Sequence, residues 1–331
     1  MSIRAQPQRV TKRLPRILVV APSWIGDALM AQPLLARLRE KLPGVEIDLL
    51  APEWVASVAR RMPEVREVIA APFRHGALQL RERWKLGRAL KQRGYDQAIV
   101  LPNTWKSALV PFFADIPLRS GYVGESRYGL LNLLYKKQAA AMVLHYARLS
   151  EAPGKAPQQP LPAPRLRVAP GEVTAAARRF GLGGPYAVLC PGADYGPAKR
   201  WPYFKELAQC LGIEIVLLGS LNDRGSGEGI PGNNLIGKTT LDEAIHLVAG
   251  AAFVVSNDSG LMHIAAALGR PQVALFGSSN PEHTPPASPA ARVVWLHLDC
   301  SPCYARVCPL GHFRCMNDLS VERVLAEVRA L

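Results

Sequence analysis

Twice along its 331 residues the chain alternates short apolar runs with stretches of helical period. That alternation constrains it more than any other feature. A strand that crosses over through a helix returns in the same direction, so the pattern implies parallel sheets with right-handed crossovers. In the first series Ile17–Ala21, Glu46–Leu50, Glu67–Ala70 and Gln97–Leu101 read as strands. Ala28–Leu42 reads as an amphipathic helix, with Leu34, Leu35 and Leu38 at helical spacing. The second series holds Tyr186–Leu189, Glu214–Leu218, Phe253–Ser256 and Gln272–Phe276, and closes on a helix over Ser320–Leu331. Between the two lies Glu151–Pro170, where six of twenty residues are proline, a composition that predicts a semi-rigid linker. The expectation is therefore two Rossmann-like domains, residues 1–150 and 171–331, joined by a linker over 151–170.

Two segments of the second half carry chemistry. Val254–Gly277 reads as strand, polar turn, small-residue helix and strand. Its Asn257, Asp258 and Ser259 stand where a helix N-cap belongs, which leaves backbone N–H groups at the positive end of a helix dipole. Such a terminus just after a strand is an anion site, and His263 returns to the same face one turn on. Leu189–Phe204 follows another strand with a loop punctuated by glycine and proline, and delivers Lys199 and Arg200 just before a helix starting near Pro202. A cation pair at the C-terminal end of a parallel strand suits a bound di-anion.

Together these segments resemble the bacterial heptosyltransferases, the ADP-heptose:lipopolysaccharide glycosyltransferases, and within them the heptosyltransferase II group. The resemblance covers nearly the whole chain. It includes Ala21-Pro-Ser-Trp-Ile-Gly-Asp27, Arg61-Met-Pro-Glu-Val65, Tyr95–Asn103, Lys106–Phe113 and Arg127–Asn132. Its most specific pieces are Pro191-Gly-Ala-Asp-Tyr-Gly-Pro-Ala-Lys-Arg-Trp-Pro202 and Asn257-Asp-Ser-Gly-Leu-Met-His263. The resemblance implies the GT-B architecture, with the active site in the cleft between the halves. It also implies an inverting transfer of heptose from ADP-heptose to the first heptose of the Kdo–lipid A inner core, with no cofactor required for catalysis. The alternative within the class is a different core position.

Glycosyl transfer needs a base for the acceptor proton and cations for the departing diphosphate. Asp27, at the start of a helix after the first strand, is the candidate base, where the resembled motif also puts one. Lys199 is the candidate cation for the donor phosphates. Ser259 and Gly260 offer backbone N–H groups and His263 a ring N–H, while Asp258 orients sugar hydroxyls or Lys199. Ser278 and Ser279 occupy another strand-end turn. Asp223 sits where an acidic residue commonly holds ribose hydroxyls. Arg60, Arg61, Lys106, Arg119 and Arg127 are candidate acceptor contacts, suited to the phosphates and carboxylates of an inner core.

The formal charge of +14 implies anionic partners. With no nucleic-acid-binding motif and no block of five basic residues, nucleic acid is disfavoured. Arg9, Lys12, Arg13 and Arg16 precede an apolar run too short for a signal peptide, so they read as a basic tail. The expected location is the cytoplasm, with peripheral contact to the anionic inner face of the inner membrane. Of the six cysteines, Cys190 and Cys210 read as small core residues. Cys300, Cys303, Cys308 and Cys315 fall within sixteen residues, and four such thiols suit a structural Zn or Fe, with four reduced thiols the alternative. Gly232–Thr239 matches the Walker A pattern letter for letter, and Gly227-x-Gly229-x-x-Gly232 the dinucleotide fingerprint. Neither follows a buried strand or opens into a helix, and both read as loop.

Overall fold

The computed structural model describes residues 13–74 and 76–331. Arg9 and Lys12 of the basic tail lie outside them. In the first half the elements run β1 Arg16–Val20, α1 Ile25–Met30, α2 Gln32–Lys41, β2 Glu46–Ala51, α3 Glu53–Ala59, β3 Glu67–Ala70, α4 Leu80–Lys91, β4 Gln97–Val100, α5 Leu109–Phe113, β5 Leu118–Tyr122, β6 Leu133–Tyr135 and α6 Met142–Ala147. The second half runs α7 Pro170–Arg179, β7 Tyr186–Cys190, α8 Phe204–Cys210, β8 Glu214–Leu217, β9 Asn233–Asn234, α9 Leu241–Gly250, β10 Phe253–Asn257, α10 Gly260–Ala267, β11 Gln272–Phe276, β12 Ala291–Trp295, α11 Arg314–Asn317 and α12 Val321–Arg329.

Each half builds one six-stranded parallel sheet, ordered β3-β2-β1-β4-β5-β6 and β12-β11-β10-β7-β8-β9. The two orders are the same doubly wound topology. Strand order reverses between β1 and β4 in the first and between β7 and β10 in the second, and the crevice outside the strand C-termini at such a switch point is where these sheets bind ligands.

The eight strands read from sequence occur within a residue or so of their expected ends. β5, β6 and β12 were not anticipated. β5 and β12 carry exposed or half-buried positions at their starts and β6 is three residues long, so the apolar runs that mark them are short. The helix expected over Ala28–Leu42 is two helices that meet at Ala31. Pro33 has no N–H to continue the ladder, so the chain turns there while Leu34, Leu35 and Leu38 still enter the core.

The proline-rich segment is a strap rather than a spacer. Arg37 donates to the carbonyl of Gln158 at 2.8 Å, and Gln32 exchanges 2.8 Å bonds with the backbone of Arg165. The next two residues bind opposite halves: Leu166 N–H donates to Ala267 at 3.0 Å and Arg167 N–H to Arg61 at 2.9 Å. One apolar cluster runs through both halves, from Ile17, Leu34 and Tyr146 to Val188, Leu247 and Ile264. Continuity of that core comes from α1 packing on α10. Gly26 is what permits the contact, since a Cβ there would lie 2.6 Å from the His263 ring.

Candidate active site

The residues expected on the donor side follow four adjacent strands, β8, β7, β10 and β11. Lys199 lies in the turn after β7 and Asp258 in the turn after β10, so they straddle the switch point. The Lys199 ammonium donates to Asp258 Oδ2 at 2.5 Å, and Ser279 Oγ donates to the same oxygen at 2.5 Å. Asp258 thus holds Lys199 and Ser279, as one of its two expected roles. It is 6 % exposed, and two charge-assisted bonds are what allow a carboxylate there.

Asn257 does not cap α10. It is fully buried, donating to the Pro191 carbonyl at 2.8 Å and accepting from Trp201 N–H at 3.1 Å. It therefore clamps both ends of the turn that carries Lys199, a role its position in the sequence did not reveal. Ser259 is the residue at the N-cap, but its hydroxyl lies 3.1 Å from Ser256 Oγ and makes no capping bond. The first N–H groups of α10, from Gly260 on, have no such partner in the helix. His263 is buried, which drops its pKa to about 4 against the opposing pull of Asp258. Its ring is neutral at pH 7 and keeps one N–H.

Asp223 spends one oxygen on Ser220, accepting from its N–H at 3.0 Å and its hydroxyl at 2.7 Å. The other, Oδ1, is buried without a hydrogen bond and has the Arg200 guanidinium 3.7 Å away, and the Ser278 hydroxyl is also buried without a hydrogen bond. Orphaned buried polar atoms are costly, so both atoms have capacity left for a partner.

Across the cleft, Asp27 stands in the first turn of α1, after β1. Burial raises its carboxyl pKa, opposed by a hydrogen bond from Tyr146 and by the charges of His283 and Lys199. Tyr146 donates to Asp27 Oδ1 at 3.4 Å and is itself buried on α6. Neither Tyr146 nor His283 was picked from sequence. They sit 119 residues and more from Asp27 along the chain, and no motif links them.

The expected acceptor set does not hold together. Arg127 is 1 % exposed and donates to the carbonyls of Pro102, at 2.6 Å, and Tyr122. Arg119 is spent on the carbonyls of Ile116 at 2.6 Å and Leu130 at 2.7 Å. Arg61 pairs with Asp242 and contacts His246 at 2.9 Å, both on α9, so it latches one half to the other. Lys106 donates to the Gly76 carbonyl at 2.7 Å. Arg60 alone is exposed, in a loose 3.6 Å pair with Glu53. Arg61, Arg119 and Arg127 are corrected to structural roles: the terminal nitrogens of Arg61 and Arg127, and Nε and both terminal nitrogens of Arg119, are held by the protein.

The Walker-like segment contains the two-residue strand β9 and is otherwise loop, with Lys238 donating to the Asn234 carbonyl at 2.7 Å. Its helix, α9, begins only at Leu241 behind a Thr240 cap. Cys190 is buried as expected, whereas Cys210 is exposed at the end of α8. Of the clustered thiols, Cys300 and Cys303 are exposed, Cys308 is half-buried and Cys315 is buried. Burial, then the neighbouring Cys303, Cys300 and Cys308, push the Cys315 thiol up to about 11. Among the described residues no three His, Cys, Asp or Glu side chains are placed to hold a metal ion.

Two doubly wound halves, a cation and buried polar groups at one switch point and a carboxylate facing them define a glycosyltransferase of the GT-B kind. The profile of glycosyltransferase family 9 (heptosyltransferase) matches residues 83–314, and the chain belongs to that family. It is 44 % identical to lipopolysaccharide heptosyltransferase 2 of Escherichia coli K12, over 96 % of this chain and 98 % of the relative. The solved E. coli ADP-heptose lps heptosyltransferase II superposes with a TM-score of 0.85 at 41 % identity, over 95 % of this chain and 98 % of that one. An E. coli heptosyltransferase solved with ADP, at 24 % identity and TM-score 0.68, covering 95 % and 99 % of the two chains, shares the fold.

Proposed function

We propose that this enzyme transfers heptose from ADP-heptose to the first heptose of the Kdo–lipid A inner core, with inversion. The observation that carries the proposal is the Lys199–Asp258–Ser279 cluster at the β7/β10 switch point, facing Asp27 across the α1–α10 contact. The acceptor hydroxyl loses its proton to Asp27 as its oxygen attacks the anomeric carbon. The bond from that carbon to the diphosphate breaks, and its electron pair leaves with ADP. Lys199 and the neutral His263 ring meet the negative charge that builds on the leaving group. One carboxylate serves inversion, whereas retention through a covalent sugar would need a second. The relatives named for heptosyltransferase 2 support the second-heptose position. Incubation with ADP-heptose and defined core acceptors tests it. ADP should appear in step with heptosylated product on heptosyl-Kdo-lipid A. A preference for Kdo-lipid A without heptose would move the enzyme to another core position.

Peripheral attachment to an anionic membrane is part of the same reading. Among the described residues no helix is long and apolar enough to cross a membrane. Leu78, Leu80, Trp84 and Trp105 are 40–50 % exposed near the C-terminal edge of the first sheet, interleaved with exposed Arg74, Arg81 and Lys85. Aromatic and basic residues together suit a lipid interface. Trp84→Glu should reduce co-sedimentation with phosphatidylglycerol vesicles while sparing ADP binding. Unchanged sedimentation would remove this surface from the reading.

A structural Zn or Fe on Cys300, Cys303, Cys308 and Cys315 is supported by the clustering of four thiols within sixteen residues, and the side chains as placed would have to draw together to hold it. Metal analysis of protein purified under reducing conditions is expected to find about one ion per chain. Cys303→Ser should then lower the melting temperature. Four freely titratable thiols and no metal would end the idea.

A further inference from the structure

The segment from Cys300 to Cys315 follows β12, runs into α11 and contains none of the residues assigned to the donor site above. Its backbone is nonetheless bonded along the donor turns. Tyr304 N–H donates to the Ser278 carbonyl at 2.7 Å, and the Tyr195 hydroxyl donates to the Tyr304 carbonyl at 2.5 Å. Ala198 N–H donates to the Arg306 carbonyl at 3.0 Å. The approach requires Gly196, whose φ is +148°; a Cβ there would lie 2.4 Å from the Arg306 carbonyl oxygen.

This docking brings two cations to one aromatic ring. Lys199 Nζ lies 4.7 Å from the centroid of Tyr195 and the Arg306 guanidinium 5.3 Å from it. The two cations differ in what else they touch. Lys199 is committed to Asp258 in a buried pair. Arg306 is exposed, and among the described residues its guanidinium makes no ion pair and donates no hydrogen bond. A neutralised Lys–Asp pair is a weak counter-charge for a diphosphate, which carries at least two negative charges. A planar guanidinium beside it supplies both the missing charge and paired N–H donors.

We propose that Arg306 is a second cation of the donor site, contacting the diphosphate of the nucleotide-sugar donor, and that the cysteine-bearing loop is the wall that delivers it. The proposal rests on the donor-site reading above. Calorimetric titration of the full chain with ADP and with adenosine tests it. Arg306→Ala should weaken ADP binding roughly tenfold or more, the scale of one charged hydrogen bond, and leave adenosine binding unchanged. The salt dependence of ADP affinity should become shallower, and Arg306→Lys should recover part of the loss. Gly196→Ala should reproduce the ADP loss by pushing the loop away, with Arg306 itself intact. ADP affinity within twofold of wild type in Arg306→Ala, while Lys199→Ala weakens it, would overturn the role of Arg306 and leave the donor site standing. If neither variant changed ADP binding, the donor-site reading itself would fall. Equal losses of ADP and adenosine, with a lower melting temperature, would reduce Arg306 to a structural residue and overturn the proposal.

Discussion

Asp27→Ala is expected to lower kcat by about 10²–10⁴, the usual scale of general-base catalysis, with ADP affinity nearly unchanged. The split follows from where the residue stands. Asp27 is on α1, across the cleft from the turns that carry Lys199, Asp258 and Asp223. Its carboxyl pKa is raised, chiefly by burial, and Tyr146 and the nearby positive charges only partly reverse that. A base works in its ionised form. Turnover should therefore fall as pH drops through this raised value. Tyr146→Phe removes a bond that favours the ionised form, so it should move the acid limb further up. Steady-state rates against pH for the wild type and Tyr146→Phe check both points. Asp27→Ala turnover within a few-fold of wild type would remove Asp27 from the role.

Lys199→Ala should weaken ADP binding and slow the chemical step together. Its ammonium meets a leaving group whose charge grows as the bond breaks, so the loss is larger in the transition state than in the ground state. The substitution also strands Asp258, a 6 % exposed carboxylate, beside the place where phosphate must sit. The lost charged hydrogen bond is worth about 1.5–3 kcal/mol, and the stranded charge adds repulsion to it. Lys199→Ala combined with Asp258→Asn should accordingly bind ADP better than Lys199→Ala alone. Lys238→Ala is the matched control. Its amine holds only the Asn234 carbonyl, in a loop without a P-loop helix behind it, so binding should change little. Calorimetry showing the reverse order, with Lys238 essential and Lys199 dispensable, would invert the donor map.

Much of this architecture was readable without coordinates. The period of the apolar residues marks eight strands, and strands alternating with helices leave parallel pairing as the workable arrangement. Lys199 and Asp258 could be found as neighbours in function because each sits just past an apolar strand, and strand C-termini are where such sheets bind. The false P-loop could be refused on the same ground, since Pro231 and the glycines before it cannot form the buried strand that a P-loop needs.

What sequence reasoning missed has a common cause. A side chain's chemistry is written in its type, but whether that chemistry is free depends on partners that folding brings from elsewhere. Arg127 looks like a phosphate ligand until Pro102 and Tyr122 supply the carbonyls that hold its two terminal nitrogens. Arg61 looks the same until Asp242, from the other half, closes on it. Tyr146 reaches Asp27 over 119 residues and Arg306 reaches Tyr195 over a comparable span, and neither pairing leaves a local pattern. Periodicity and strand-end position are local properties of a chain, so the sequence alone determined that there are two sheets and that their strands run parallel. Which charges remain available at the strand ends was decided only by tertiary structure, because desolvation and satisfied hydrogen bonds are set by neighbours distant in sequence.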